Sequence, residues 1–173
     1  VTASAVILPK GYTNKQLNDS KKISPTLREL LRKEIEKNAI AYSVINISAK
    51  IIDKRNILNA TFMAMNSAIK KLNVVPQFII VDGNRFKNYL DIPSKCIIKG
   101  DQKYLNIAAA SILAKTYRDK FMKNLHIDNP RYKWEKNKGY GTPEHRESII
   151  KYGRTKFHRK TYKLKEEQLK LNL

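Results

Sequence analysis

Apolar positions along the chain switch between a two-residue and a three-to-four-residue spacing, and the switches mark out its elements. Val1 to Leu8 (VTASAVIL) is rich in small and β-branched residues and stops at Pro9-Lys10-Gly11, a strand running into a turn. Ser24-Pro25 sets a capping residue before a proline at the first helical position, and Leu27, Leu30, Leu31 and Ile35 follow on one helical face. Ala41 to Ser48 alternates as a strand. From about Asp53 to Leu72, Ile57, Ala60, Ala64, Ala68 and Leu72 recur at helical spacing. Phe78-Ile79-Ile80-Val81 is a short unbroken apolar strand that stops at Asp82-Gly83-Asn84, and Lys95 to Ile98 is another that stops at Gly100-Asp101. Asn106 to about Leu125 predicts a helix whose first half is built of small residues. Thr142-Pro143-Glu144 opens a shorter helix to about Lys151, and the basic tail reads as helical from Leu164. Strands alternating with helices predict one α/β domain over residues 1–173, with no internal repeat and no linker.

Charge changes the picture most. The 173 residues carry 35 Lys and Arg against 15 Asp and Glu, a formal charge of +20, and the pI is about 10.0. A field of that sign concentrates polyanions and speeds their capture, which favours a nucleic-acid partner over a merely solvated Lys-rich surface. A hydrophobic share of 42% is that of a globular chain and argues against wholesale disorder. The one cysteine, Cys96, excludes an intramolecular disulfide and fits a reducing, cytoplasmic setting. Its apolar neighbours Ile97 and Ile98 suit a small buried hydrophobe. No stretch approaches the ~20 apolar residues of a membrane span.

Two carboxylates stand out by position. Asp82 closes an apolar strand and Asp101 follows the next one by three residues. Side chains at adjacent strand ends converge on one sheet edge, where α/β proteins place ligands, and two aspartates there suit Mg²⁺. Asp82-Gly83 is also a good turn by itself, and Asp101 also suits a lead into the following helix. On the residues alone, turn chemistry comes first.

A set of motifs spread over nearly the whole chain shifts that weighting. Asp19-Ser20-Lys21-Lys22-Ile23-Ser24, Asn56-Ile57-Leu58-Asn59-Ala60-Thr61, Val81-Asp82-Gly83-Asn84, and Gly100-Asp101 leading into Ile107-Ala108-Ala109-Ala110-Ser111-Ile112-Leu113-Ala114-Lys115 occur in order. Arg118-Asp119, Asn137-Lys138-Gly139-Tyr140-Gly141-Thr142, His145 and His158-Arg159 complete it. Each is weak alone; together they resemble the ribonuclease HII family, ahead of the sister ribonuclease HIII type. The resemblance implies an α/β, ribonuclease H-like fold, with a mixed central sheet flanked by helices and a C-terminal helical extension. It implies four acids around two divalent ions, Mg²⁺ or Mn²⁺, with Asp82 and Asp101 as two of the metal ligands. The other two, an adjacent Asp-Glu in a DEAGRG-like motif, would stand just before Val1. Residues 1–173 without them are expected to be inactive, and an incomplete N-terminus is the expected reason.

The resemblance also implies substrate contacts. Lys21 and Lys22, otherwise read as an exposed lysine pair, become phosphate ligands near the active edge. Ser111, Lys115 and Arg118 lie on overlapping helix faces; Lys115 leans towards phosphate, while Asp119 reads as its structural i,i+4 partner. Between Lys115 and Lys160 stand fourteen Lys and Arg and five acids, interleaved with Tyr132, Trp134, Tyr140, Tyr152 and Phe157. This suits a backbone-tracking groove, and equally a basic loop with a few core aromatics, Trp134 partly among them. Tyr140, between Gly139 and Gly141, sits where a loop can approach a ligand closely. The family's matching tyrosine stacks on the sugar at the ribonucleotide–deoxyribonucleotide junction. His145 and His158 stay outside the catalytic set, since one Cys and three His make a zinc site improbable.

The reading that results is a monomeric endonuclease acting on RNA–DNA hybrids and on duplex DNA containing ribonucleotides. The alternative is a non-catalytic basic nucleic-acid-binding protein on the same scaffold; a small ribosomal protein fits the charge but not the motifs.

Overall fold

The computed structural model describes residues 1–17 and 23–164. In chain order these form β1 (Thr2–Ile7), α1 (Pro25–Asn38), β2 (Ala41–Asn46), α2 (Ala49–Arg55), α3 (Ile57–Lys70), β3 (Ile79–Asp82) and β4 (Ser94–Ile97). After them come α4 (Leu105–Asp128), α5 (Trp134–Asn137) and α6 (Pro143–Tyr152), with 3-10 turns at Gly100–Gln102 and Pro130–Tyr132. The expected C-terminal helix from Leu164 falls outside the described residues. Among those described, no helix is long and apolar enough to cross a membrane.

The chain divides into two compact units, one formed by residues 2–46 and 61–117, the other by residue 1 with 47–60 and 118–173. In the first unit, β1 and β2 pair antiparallel with Ala3 opposite Ile45, and β3 and β4 pair parallel with Val81 opposite Cys96. Both pairings expected of a mixed sheet are therefore present, as two two-stranded ladders. Cys96 is half-buried in the second of them.

Small residues decide how closely the helices of this unit approach. Ala108, Ala109, Ile112 and Leu113 of α4 pack on Leu8, Leu17, Leu31 and Ile35 in one buried cluster. The alanines bring the α4 backbone near enough for the Ser4 hydroxyl to donate to the Ala110 carbonyl. Ser43 of β2 reaches the Ala68 carbonyl of α3 in the same way. A second cluster joins Ile69, Ile79 and Val81, with Ala5 and Phe86 packed against it, and so braces the strand that ends at Asp82.

In the other unit the core is aromatic. Tyr132 and Trp134 stack with centroids 5.0 Å apart, beside Met122 and Leu125. The Asp53 carboxylate of α2 accepts the Lys160 and Thr161 N–H groups and the Thr161 hydroxyl, fixing the segment after α6.

Two expectations are corrected. The single helix from Asp53 to Leu72 is two helices: Asn56 takes φ 64° and its side chain accepts the Asn59 N–H at 3.0 Å, ending α2 and capping α3. Asparagine tolerates that left-handed geometry better than other side chains. On α1, Leu31 and Ile35 are buried but Leu30 is 58% exposed, and Arg28 takes its place inside. Its guanidinium donates to the Ile23 carbonyl at 2.9 Å, which satisfies the buried charge in part. Ile35→Ala should therefore destabilise by about 2–5 kcal/mol in urea unfolding, while Leu30→Ala costs under about 1 kcal/mol. Equal losses would contradict this assignment of the α1 faces.

Candidate active site and nucleic-acid interface

Backbone geometry brings Asp82 and the turn that carries Asp101 together. At the ends of β3 and β4 the Gly83 N–H donates to the Ile97 carbonyl at 2.9 Å. Lys99 then takes φ 54° and turns the chain into the 3-10 turn Gly100–Gln102. There the Gly100 N–H donates to Asp82 Oδ1 at 2.9 Å. This hydrogen bond holds Asp82 against the turn that carries Asp101. Gly100 itself leaves little room for a side chain, since a Cβ would stand 2.6 Å from Ile107 Cδ1 and 3.3 Å from Ile97 Cβ.

The two carboxylates differ in solvation. Asp82 lies at the exposed end of its strand, whereas Asp101 is only 9% exposed. Among the described residues no donor or cation pairs with the Asp101 carboxylate. An oxygen-only donor set at a strand end has the chemistry of a hard divalent cation. Among the described residues no group of three or more His, Cys, Asp or Glu side chains is placed to hold a metal ion. Ser111 and Lys115 belong to the same unit, one turn apart on α4 and half-buried. Lys21 and Lys22 lie outside the described residues.

Tyr140 belongs to the other unit and is 70% exposed. Its loop is held from below by main-chain bonds. Gly139 has φ +83°, and its N–H donates to Asn137 Oδ1 at 2.9 Å; the Tyr140 N–H donates to the Asn137 carbonyl at 2.8 Å. A Cβ on Gly139 would stand 3.2 Å from both Arg118 Nη2 and Met122 Cε. Gly141, by contrast, has an ordinary backbone, and a Cβ there would make only ordinary contact with Arg146 Nε at 3.6 Å, so only one of the two glycines is required by geometry. Burial lowers the Arg118 pKa, and the like charge of Arg159 lowers it further, against the opposing pull of Tyr140 and Asp119. Two guanidiniums thus share the neighbourhood of the loop, a favourable place for phosphate.

Beneath the loop lies a feature that the sequence pattern did not reveal. Trp134 is 2% exposed, fully core and not partly so, and it packs with Tyr132, His145 and His158. His145 is 4% and His158 9% exposed. His145 Nδ1 is 2.8 Å from the Tyr140 carbonyl oxygen, and the Nε2 atoms of the two histidines are 3.2 Å apart. Trp134 Nε1–H donates to His145 Nε2 at 3.1 Å, and the Thr155 N–H donates to His158 Nδ1 at 2.9 Å. Burial lowers the His145 pKa, partly offset by the bond to Tyr140. For His158, burial first, then His145 and Arg154, lower it to about 4. The signal available in the sequence was the spacing Thr142-x-x-His145, a cap and its third residue: the Thr142 hydroxyl accepts the His145 N–H at 3.4 Å.

Comparison with known proteins shows the family to which the chain is similar. The family model described as Ribonuclease HII matches residues 1–165. A Ribonuclease HII from Christiangramia forsetii is 56% identical over 99% of this chain and 87% of its own length. One from Bacteroides fragilis is 55% identical over 95% of this chain and 82% of its own length. Among solved structures, the ribonuclease H2 from Pyrococcus horikoshii superposes with a TM-score of 0.75 at 21% identity, covering 94% of this chain and 93% of that one. The ribonuclease HII of a PCNA:RNase HII complex from Archaeoglobus fulgidus gives 0.70 at 23% identity, covering 86% and 79%. These two similarities concern the fold.

The buried neutral histidines make stability depend on pH. A folded pKa lowered to about 4 means that the unfolded chain binds a proton which folded His158 refuses. Stability is then full above the ordinary imidazole pKa and falls as the pH drops towards 4, by on the order of 2 kcal/mol at pH 5. Urea midpoints at pH 7.5 and 5 should show that loss, and His158→Asn should show much less of it. A loss of equal size in the variant would place its cause elsewhere.

Proposed function

The chain belongs to the ribonuclease HII family of ribonuclease H endonucleases, and from that premise we propose that it hydrolyses the phosphodiester 5′ of a ribonucleotide. The substrates are RNA–DNA hybrids and duplex DNA with embedded ribonucleotides, and the products carry 3′-OH and 5′-phosphate ends. The observation that carries this reading is Asp101, 9% exposed and without a side-chain partner among the described residues, on the turn whose Gly100 N–H holds Asp82. A protein that merely binds phosphates gains nothing from two carboxylates at one strand edge, because they repel the ligand. In a chain of net charge +20 they are better explained as holding a cation.

Asp82 and Asp101 are assigned as ligands for Mg²⁺ or Mn²⁺, together with further acids of the family motif. When bound, such ions would supply the activation of water and the stabilisation of the leaving oxygen. The residues of the chain bind and orient the substrate around that chemistry. Tyr140, with its ring exposed on a loop fixed by its backbone, stacks on the sugar at the junction. The sugar's 2′-OH is the mark that separates RNA from DNA. Lys115 and Ser111 on α4, and Lys21 and Lys22, contact phosphates. The charge of the whole surface raises the capture rate and makes binding salt-dependent.

With Mg²⁺, the full-length protein should nick a duplex carrying one ribonucleotide. Asp82→Asn should reduce nicking at least about a thousandfold while leaving duplex affinity within a few-fold, as expected for a group acting at the reacting centre. Nicking retained by Asp82→Asn removes that residue from the metal site. Weakened duplex binding alone would favour the non-catalytic reading. Tyr140→Ala should impair cutting at a single ribonucleotide more than cutting within a long hybrid, measured as the ratio of the two kcat/KM values; an unchanged ratio contradicts its role.

A further inference from the structure

The polar groups beneath the Tyr140 loop have an order that the chemistry of their ends dictates. A backbone N–H only donates, so the Thr155 N–H at 2.9 Å makes His158 Nδ1 an acceptor. The neutral His158 ring must then carry its proton on Nε2, which faces His145 Nε2 at 3.2 Å. The indole N–H of Trp134 also only donates, and at 3.1 Å it too requires His145 Nε2 to be an acceptor. His145 therefore carries its proton on Nδ1, directed at the Tyr140 carbonyl 2.8 Å away, an oxygen that only accepts. Both ends of the series are backbone groups of fixed polarity, so only one pair of tautomers satisfies every contact.

We propose that His145 and His158 are positioning residues for substrate recognition: a one-way hydrogen-bond relay, Thr155 to His158 to His145 to the Tyr140 carbonyl, holds the loop that presents the Tyr140 ring. The proposal rests on the reading of Tyr140 as the residue that meets the sugar. The same carbonyl also accepts the Thr142 N–H at 2.9 Å, so Tyr140 is gripped at its backbone while its ring stays exposed. An aromatic ring that stacks on one sugar needs that grip, because a loose loop spends binding free energy on ordering. The relay works only while both rings are neutral. A proton added to His145 Nε2 would face the His158 and indole N–H groups, and one added to His158 Nδ1 would face the Thr155 N–H. The titratable and charged groups around the pair are Tyr132 from the 3-10 turn, whose ring is 4.8 Å from that of His158, and Arg154 from the segment after α6. Arg154 adds to the burial that keeps the pair neutral at physiological pH.

Four full-length variants and one spectrum test this. His145→Ala removes the donor to the Tyr140 carbonyl, whereas His145→Asn keeps an N–H near the place of Nδ1. On a duplex with one ribonucleotide, His145→Ala should lower kcat/KM by about five- to tenfold, chiefly through KM, and His145→Asn should recover most of it. The double variant Tyr140→Ala/His145→Ala should be no worse than Tyr140→Ala, because one residue acts through the other. Additive losses, or an unimpaired His145→Ala beside an impaired Tyr140→Ala, overturn the relay. If Tyr140→Ala itself cuts normally, the sugar-stacking assignment fails and the functional role of the relay with it. Histidine ¹⁵N NMR of the unmutated protein is independent of how the variants fold. It should show His145 protonated at Nδ1 and His158 at Nε2, unchanged from pH 8 to 6; the opposite tautomers, or titration of His158 in that range, overturn the proposal.

Discussion

The hydrogen bond from the Gly100 N–H to the Asp82 carboxylate is the constraint on which the site depends. It crosses from the end of β3 to the turn after β4, and so sets the position of Asp101 relative to Asp82 without a contact between the two acids. The surroundings support that one bond. The Gly83 N–H closes the strand pair, Lys99 bends the backbone, and Ile107 and Ile97 leave little space for a side chain at position 100. A cation bound there, as proposed, would need both carboxylates at fixed separation, and rigid strand ends supply that better than a loop.

The second unit shows a complementary device. Its hydrogen bonds run through side chains of the aromatic core to one exposed residue. Trp134 and Tyr132 exclude water from the histidines, the loss of water keeps the rings neutral, and neutrality fixes their tautomers. A large ring at the surface can then be held through its own main chain, which leaves the face of Tyr140 unobstructed.

Much of this was legible in the sequence, for identifiable reasons. The apolar run Phe78 to Val81 ends at a charged residue, so the end of β3 was readable to within one residue. Ser24-Pro25 and Thr142-Pro143 start helices where cap chemistry requires. The ends of adjacent strands were expected to share one edge, and the Gly100 N–H does hold Asp82 against the turn that carries Asp101. What escaped was set by tertiary contact or by single-residue backbone geometry. Asn56 breaks a continuous helical pattern because its side chain caps the next helix. Leu30 sits on the predicted face yet is exposed, and Arg28 enters the core because a carbonyl meets its guanidinium. His145 and His158 are thirteen residues apart, and no periodicity links them; their partnership arises from the fold of the segments around Trp134.

The most direct test of the account is the response of stability to a divalent cation with and without Asp101. If that carboxylate serves a cation and not the fold, replacing it costs the metal-free protein no stability. In EDTA, full-length Asp101→Asn should unfold at the same Tm as the unmutated protein or higher, and added Mn²⁺ should raise the Tm of the unmutated protein alone. A variant that is less stable in EDTA, yet gains as much from Mn²⁺ as the parent, would show that Asp101 is a structural residue and that the cation binds elsewhere.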